Sequence, residues 1–391
     1  MSLRILVLKD TLTAKAGATK LTLDIVRSFV SCGDEVHVVF FRDDGTFPLA
    51  NGKDMPDHTV TIFKSGLKFK LSQAIQTPLI KLFLRDAFLI KDAINIFDQI
   101  LFARKINKSK EDFDIIISMS IWSGVASIFL KPTLRKRQIL YFHEPPTFSG
   151  LPYAVRKVLN FYLSELLKRT EFYVSITDKM RDAIKSDLGV NTYVVKDYFT
   201  IKPTVSEKGD YVLLDTRWTF VRNPFFVIDI MKLLKDTRFV MCGSFGSTEL
   251  RARFIEKLGN EGMTDRISIK EGISESALDE IYSRAKCYIR WSNPKIIETG
   301  PSYGLIQAIS NGCVPIVSHD IGSASDVTEN IGVDFAVSNT PEGFASAIIK
   351  LFNDKNFFDD AVSRVIKWRN SYTLTEYRQV IINMLESKTI P

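Results

Sequence analysis

Apolar residues recur along the chain in short blocks, and between these blocks they fall at helical spacing. Residues 4–8 and 36–41 are two such blocks, and from Leu21 to Cys32 the apolar residues are three and four positions apart. Strand, loop, amphipathic helix and strand in this order form a βαβ unit. The pattern therefore predicts a parallel sheet, which binds ligands at the carboxyl ends of its strands.

The same alternation continues through the chain, stops once and then starts again. In the first half it predicts further strands over residues 113–118, 138–142, 173–176 and 192–195. In the second half it predicts strands over 211–214, 238–242, 267–270, 287–290 and 314–317. Helices are predicted between these strands, over 225–234, 249–258, 275–285 and 305–311. Between the halves, residues 202–209 have the Pro, Ser, Glu and Lys content of a linker. We therefore expect two parallel α/β domains, over 1–201 and 202–370, and a terminal helix over 371–391.

Composition agrees with a soluble chain that is large enough for two cores. The 391 residues are 45% hydrophobic and 25% charged, and single cores stop growing well below this length. The longest uncharged run, residues 115–130, is shorter than the about 20 apolar residues that a membrane span needs. The first residues read directly as a strand and show no signal-peptide pattern, so the expected location is the cytoplasm.

The four cysteines, Cys32, Cys242, Cys287 and Cys313, are far apart in the sequence. They form no CxxC pair and no Cys/His spacing that is typical of a metal site. The carboxylates of the sequence form no cluster that requires a cation either. We therefore expect buried free thiols in a reducing compartment and no bound metal.

The positive charge of the chain is concentrated in residues 67–110. This segment contains nine Lys or Arg and three Asp, and it accounts for most of the formal net charge of +7. The apolar residues Phe83, Ala87, Ile90, Ile94, Phe97 and Leu101 share one predicted helix face, with Lys81, Arg85, Lys91 and Arg104 off it. Such a helix either rests on an anionic membrane or packs on the core with a solvated basic back.

Candidate chemistry lies after several predicted strands. His143 follows the strand over 138–142, and Arg217 and Arg222 follow the strand over 211–214, where two guanidinium groups five residues apart can clamp a diphosphate. A third loop, after the strand over 287–290, contains Glu298 and a turn rich in small residues, Gly300, Pro301, Ser302 and Gly304, which opens a helix. Glycines let a ligand approach the main chain, and a helix start offers N–H groups to an anion.

The glycine near the first helix is a weaker signal. Ala16-Gly17-Ala18-Thr19 stands at the predicted helix entrance, but the loop has no GxGxxG. A dinucleotide site is therefore not indicated, and nothing in the sequence points to nucleic acid.

Taken together, these motifs resemble the retaining GT-B glycosyltransferases of family 4, over nearly the whole chain. The segments that resemble the family's motifs are 16–26 with 33–36, 141–145, 215–222, 271–282, 296–312 and 322–327. Four of them depart from the family pattern. Ala16 stands where the first Gly of the N-terminal loop would be, Arg222 replaces a Lys, and Asp326 replaces a Glu. The Glu-x7-Glu motif reads Glu298 and Gln307, with one additional residue between them.

The resemblance implies a fold of two Rossmann-like domains that face across a cleft, with the C-terminal helix returning to the N-terminal domain. It implies transfer of a hexose-type sugar, with retention and without a metal or other cofactor, from a nucleotide-diphospho-sugar to a glycan or lipid-linked acceptor. The basic segment 67–110 adds the expectation of peripheral membrane contact. The implied catalytic residues are His143, Glu298, Arg217 and Arg222, and the implied donor-binding residues are Gly17, Gly272, Ile273, Gly300, Ser302, Tyr303, Gly304, Leu305 and Gln307. Glu298 would bind the sugar hydroxyls and Gln307 the ribose, since a neutral Gln can still accept from one hydroxyl and donate to another.

Two other functions are compatible with the same sequence. Gln307, Arg222 and the altered loop length also suit a GT-B subunit that has lost catalysis and serves as a scaffold. A GT-B sugar-nucleotide epimerase would act on the donor without an acceptor. The base and sugar of the donor are left open by the sequence, and so is the acceptor.

Overall fold

The computed structural model describes residues 2–9, 17–41, 60–62, 87–108, 112–135, 137–142, 161, 163–196, 201–203, 207–293 and 303–387. The chain forms two compact units. Unit 1 consists of Met1–Val195 together with Leu374–Pro391, and unit 2 of Lys196–Thr373.

Unit 1 is built on a parallel sheet of seven described strands. They are β1 (Arg4–Lys9), β2 (Glu35–Phe40), β3 (Val60–Ile62), β4 (Ile115–Ser118), β5 (Gln138–Phe142), β6 (Phe172–Ser175) and β7 (Tyr193–Val194), in the order β3-β2-β1-β4-β5-β6-β7. Its described helices include α1 (Gly17–Val30), α2 (Ala87–Lys108), α3 (Val125–Phe129), α4 (Pro132–Arg135) and α5 (Asp178–Leu188). The strands are buried on both faces, as expected where helices cover a parallel sheet.

The helices begin and end where local chemistry predicts. Helix α5 begins after Thr177, whose side chain accepts a hydrogen bond from the Met180 N–H at 3.1 Å, and it ends at Gly189, which has a φ of +67°. A hydroxyl at the N-cap and a left-handed glycine at the C-terminus satisfy main-chain groups that the helix itself leaves open.

The basic helix of the sequence prediction corresponds to α2, of which side chains are described from Asp98 onward. Asp98 and Gln99 are fully buried together with Phe102, Ala103 and Ile106, whereas Arg104 and Lys105 are exposed. The Gln99 Oε1 accepts a hydrogen bond from the Ala126 N–H at 3.0 Å. This part of the helix therefore packs on the core and turns its basic side to solvent.

Unit 2 is a second parallel sheet, of six described strands. They are β8 (Tyr211–Asp215), β9 (Arg238–Cys242), β10 (Ile267–Lys270), β11 (Cys287–Arg290), β12 (Val314–Ser318) and β13 (Ala336–Val337), in the order β10-β9-β8-β11-β12-β13. Its helices are α6 (Phe226–Leu233), α7 (Thr248–Asn260), α8 (Glu275–Arg284), α9 (Tyr303–Ser310), α10 (Ala324–Asn330), α11 (Pro341–Asn353) and α12 (Lys355–Asn370). The sequence prediction contained no helices for residues 341–370. Their buried residues, Phe344, Ile348 and Leu351 in α11 and Ala361 and Val365 in α12, lie at helical spacing.

The last helix, α13 (Leu374–Ser387), belongs to unit 1, as the resemblance implied. Tyr377 is buried, hydrogen-bonds through its hydroxyl to Tyr141 and packs edge-on against Phe29 at 6.1 Å. Next to it, the Arg378 guanidinium donates two hydrogen bonds, of 2.5 and 2.9 Å, to the fully buried carboxylate of Asp34. These contacts fix the end of the chain on the first domain.

The cysteines are all free, and three of the four are placed as predicted. Cys242, Cys287 and Cys313 are buried in unit 2, but Cys32 is exposed. The prediction of burial was wrong for Cys32, because this residue lies beyond the end of α1 in the turn that leads to β2. A side chain in this turn is on the surface even when it is apolar.

Candidate functional site

The candidate site lies where the strand order of unit 2 reverses. Strands β8 and β11 are neighbours in the sheet although two strands separate them in sequence. Loops that leave such a pair at its carboxyl end run in opposite directions and open a crevice. Here these loops are residues 216–225, which follow β8, and residues 291–302, of which 291–293 are described.

The start of α9 packs directly on the carboxyl end of β8. A Cβ atom at Gly304 would lie 2.9 Å from the Asp215 carbonyl oxygen and 2.5 Å from the Tyr288 Oη. The Tyr282 Oη donates to the Asp215 carboxylate at 2.9 Å, and burial, followed by the charge of Asp215, raises the Tyr282 pKa well above its usual value. The phenol therefore stays a donor, and the absent side chain at Gly304 lets the helix start reach the strand end.

Gln307 is one turn further along α9 and is almost fully buried. Its Nε2 donates to the Tyr303 Oη at 2.6 Å, while its Oε1 has no hydrogen-bond partner within the described part of the chain. An unpaired buried acceptor is unfavourable unless water or a ligand donates to it. Gln307 thus offers an open acceptor at the place where the resemblance puts the ribose.

The loop that contains Arg217 is held by the residue that follows it. Trp218 is 1% exposed, its Nε1 donates to the Cys242 carbonyl at 2.8 Å, and its N–H donates to the Ser244 carbonyl at 2.9 Å. Arg217 itself is exposed, and its guanidinium makes no ion pair or hydrogen bond with any described residue. A fixed main chain thus presents a free cation beside the carboxyl end of β8.

The loop after β11 is fastened to the loop after β8. The Trp291 Nε1 donates to the Arg222 carbonyl at 3.0 Å, and the Asn293 Nδ2 donates to the Val221 carbonyl at 2.6 Å. The rings of Trp291 and Trp218 pack at a centroid distance of 5.8 Å. The described stem of the loop that leads to Glu298 is therefore fixed relative to Arg222.

Sequence reasoning missed both tryptophans and Asn293. The available signal was a tryptophan directly after a strand's carboxyl end, where a large ring with an N–H donor can bridge two loops.

Two other predicted donor residues lie at the same edge of the sheet, after β10. Gly272 has a φ of +67°, which favours glycine, and the following Ile273 packs partly on the core. Ser274 then caps α8 by accepting from the Ala277 N–H at 3.2 Å. The helix that this turn begins, α8, packs against α9: a Cβ atom at Gly304 would lie 3.1 Å from the Tyr282 Oη of α8.

The remaining predicted site residues divide into two groups. Gly17 begins α1 in unit 1, and the Leu305 side chain is buried in the core of unit 2. His143, Glu298, Gly300 and Ser302 lie outside the described residues.

The described residues contain neither a metal-binding cluster nor a membrane-spanning helix. In that part of the chain, no group of three or more His, Cys, Asp or Glu side chains is arranged to hold a metal ion. None of the described helices is both long enough and apolar enough to cross a membrane.

Comparison with known proteins gives a family match for part of the chain and a fold match for the whole chain. The model of the family described as glycosyl transferases group 1 matches residues 199–368. No curated protein sequence matches the chain significantly.

Among solved structures, a glycosyltransferase from Rickettsia africae is similar with a TM-score of 0.70 at 15% identity, covering 99% of this chain and 98% of that chain. Anabaena HepE in complex with UDP and glucose is similar with a TM-score of 0.71 at 14% identity, covering 98% of this chain and 100% of that chain. A mutant of S. aureus TarM, in complex with UDP, fondaparinux and α-GlcNAc-glycerol, is similar with a TM-score of 0.71 at 12% identity. The match covers 98% of this chain and 100% of that chain. The shared architecture is the GT-B fold, as predicted.

Proposed function

We propose that the protein transfers a hexose-type sugar from a nucleotide-diphospho-sugar to a glycan or lipid-linked acceptor, with retention of configuration. The premise is that residues 199–368 match the model of the family described as glycosyl transferases group 1. One observation carries the proposal. At the reversal of strand order in unit 2, the buried Gln307 offers an open acceptor at the start of α9, and the same strand end presents the free Arg217 guanidinium.

The chemical step needs positive potential at the leaving group. As the bond between sugar and diphosphate breaks, negative charge grows on the diphosphate, and fixed donors that meet this charge lower the barrier. Arg217, Arg222 and the N–H groups at the start of α9 supply such donors in this proposal. They would do so without a metal ion, so activity should persist when divalent cations are chelated.

A contact between the ribose and Gln307 would orient the nucleotide in the site. In the proposed complex, a ribose hydroxyl donates to the Gln307 Oε1, while the Tyr303 hydroxyl holds the amide in place from the other side. Gly272 and Ile273, at the carboxyl end of β10, would approach the base. Since two of the similar structures contain UDP, UDP-sugars are the first donors to test.

The roles of His143 and Glu298 are proposed from the resemblance. Glu298 would bind hydroxyls of the donor sugar, and its loop leaves the stem that Trp291 and Asn293 attach to the loop of Arg222. His143 would lie by the acceptor as a hydrogen-bond partner. Gly17, Gly300 and Ser302 would place main-chain N–H groups at the diphosphate or sugar.

The proposed location is the cytoplasm, with peripheral membrane contact through the basic segment 67–110. Charge reversal at Lys81, Arg85 and Lys91 tests that contact. If these changes leave activity on a lipid-linked acceptor and binding to anionic vesicles unaltered, the segment serves the core alone.

The deciding experiment combines donor binding with transfer. A thermal-shift screen with UDP, GDP and ADP should show stabilisation by at least one nucleotide, since a ligand that binds only the folded state raises stability. Arg217→Ala should then abolish transfer while the fold stays intact. Arg238→Ala is the matched control, because Arg238 is an exposed arginine at the amino end of β9, away from the site.

The other outcomes separate the alternatives. A protein that binds no nucleotide diphosphate is a scaffold, and one that converts the donor sugar without an acceptor is an epimerase. Unchanged turnover in Arg217→Ala would refute the assignment of the diphosphate clamp.

A further inference from the structure

The loop after β8 exposes two large apolar side chains side by side. Phe220 is 55% exposed and Val221 is 45% exposed, and within the described part of the chain no other two strongly exposed large hydrophobic residues are adjacent in sequence. Single apolar residues on a surface are ordinary. A pair at the tip of one turn calls for a separate explanation.

In the turn that presents them, residues 219–223, four carbonyls accept hydrogen bonds within the protein and two N–H groups donate them. The Phe220 carbonyl accepts from the Asn223 N–H at 3.3 Å, and the Arg222 N–H donates to the Thr219 Oγ1 at 3.2 Å. The carbonyls of Val221 and Arg222 accept from the side chains of Asn293 and Trp291, and that of Asn223 from the Phe226 N–H.

This hydrogen bonding has a physical consequence. Polar main-chain groups are costly to move into an apolar medium unless they are already paired. Because the carbonyls of residues 220–223 are already paired within the protein, these groups add no such cost when the two apolar side chains enter an apolar medium.

Cations lie around the turn on the adjacent helix α7. The Arg253 guanidinium is 5.8 Å from the Phe220 ring centre, and the Lys257 ammonium is 5.6 Å from the Phe225 ring centre. The two cations are four residues apart and therefore share a face of α7. Glu249 approaches Arg253 only at 3.8 Å, with both side chains more than half exposed, so it leaves the positive charge largely available.

We propose that the turn over residues 219–223, with Arg253 and Lys257, docks on an anionic lipid surface. Phe220 and Val221 would enter the boundary between headgroups and acyl chains, and the two cations would meet the lipid phosphates. This surface is distinct from the segment 67–110, and it borders the carboxyl edge of unit 2. Docking there would bring the crevice beside Arg217 to the membrane.

Vesicle flotation tests the proposal. The intact protein should bind vesicles of phosphatidylcholine with phosphatidylglycerol at low salt, and bind pure phosphatidylcholine weakly, because screening and loss of anionic lipid both remove the charge attraction. Phe220→Ser and Val221→Ser should each lower the partition coefficient about tenfold, since each removes most of one apolar side chain from the lipid. Val333→Ser and Ile349→Ser, at positions 73% and 46% exposed, are matched controls that should bind like the original protein.

A site-specific probe shows where the contact is made. Cys32 is the exposed cysteine, so in a Cys32→Ser background an environment-sensitive dye on Phe220→Cys should shift to shorter wavelength when phosphatidylglycerol vesicles are added. The same dye on Val333→Cys should not shift.

Three results would overturn the proposal. They are no binding of the original protein to anionic vesicles at low salt, undiminished binding of both turn variants, and a dye at position 220 that stays in water. If Phe220→Ser instead abolishes transfer to a soluble acceptor with vesicle binding unchanged, the turn contacts the acceptor and the lipid assignment is wrong. Absence of transferase activity in every variant would count against the proposed function alone, because flotation needs no turnover.

Discussion

The main chain of Gly304 lies so close to the Asp215 carbonyl oxygen that a Cβ atom at position 304 would be 2.9 Å from it. The start of α9 can therefore reach the carboxyl end of β8 only with glycine at this position. Gly304→Ala should destabilise the fold by about 1 to 3 kcal/mol, because main chain and the two tyrosines must move apart. Urea denaturation measures this loss, and affinity for a nucleotide diphosphate should fall with it.

A second glycine gives the matched control. Gly259 lies within α7, and a Cβ atom there would meet nothing within 4 Å. Gly259→Ala should raise stability by about 0.5 to 1 kcal/mol, since alanine loses less conformational freedom in a helix. Equal effects at the two positions would contradict the assigned contact.

Gln307→Leu should weaken binding of a nucleoside diphosphate by about tenfold, because the ribose hydroxyl loses a buried acceptor. Gln307→Glu should keep most of the affinity, since a carboxylate also accepts. Calorimetry with UDP and with its deoxyribose analogues measures both effects. If the analogues lose as much affinity with Gln307→Leu as UDP does, Gln307 does not contact the ribose.

Trp291→Phe should slow transfer more than it affects stability. The change removes the N–H that donates to the Arg222 carbonyl at 3.0 Å and costs about 1 kcal/mol of folding free energy. The loop of Arg222 is then free to move relative to the loop that leads to Glu298. Steady-state kinetics should show a lower kcat with nucleotide affinity retained, and an unchanged kcat would count against this link.

Arg378→Met should destabilise the protein by about 3 kcal/mol, because it leaves the buried carboxylate of Asp34 without its charge partner. The hydrogen bond to Asp34 in turn raises the Arg378 pKa above its usual value, so the guanidinium stays charged. Denaturant unfolding monitored in unit 1 measures the loss. Lys168→Met serves as the control, since Lys168 is 67% exposed in its pair with Glu165 and such pairs contribute little.

Thiol labelling should distinguish Cys32 from the other three cysteines. Burial raises the pKa of Cys242 and of Cys313 to about 12 and that of Cys287 well above its usual value, so these thiols stay protonated and inert near neutral pH. A maleimide should modify one cysteine in the native protein and all four in denaturant, counted by mass spectrometry. Rapid labelling of a second native thiol would show that unit 2 opens.

The sequence by itself predicted the two α/β halves and most strand positions, because these follow from local spacing. Strands β5, β9, β10 and β11 begin and end where the apolar blocks do. The loops with Arg217, Glu298 and Gly304 could be placed after strands for the same reason. Resemblance to a family added the fold, which the structural comparisons confirm.

Only the tertiary structure decided which residues hold the site together. Gly304 meets Asp215, Trp291 meets Arg222, and Arg378 meets Asp34, each across tens to hundreds of residues of sequence. The burial of Asp98 within a basic helix and the exposure of Cys32 were likewise beyond the pattern. The spacing of apolar residues shows which side chains of a segment face the core and which face water. Contacts between residues distant in sequence depend on how whole sheets and helices pack, and local spacing does not encode this packing.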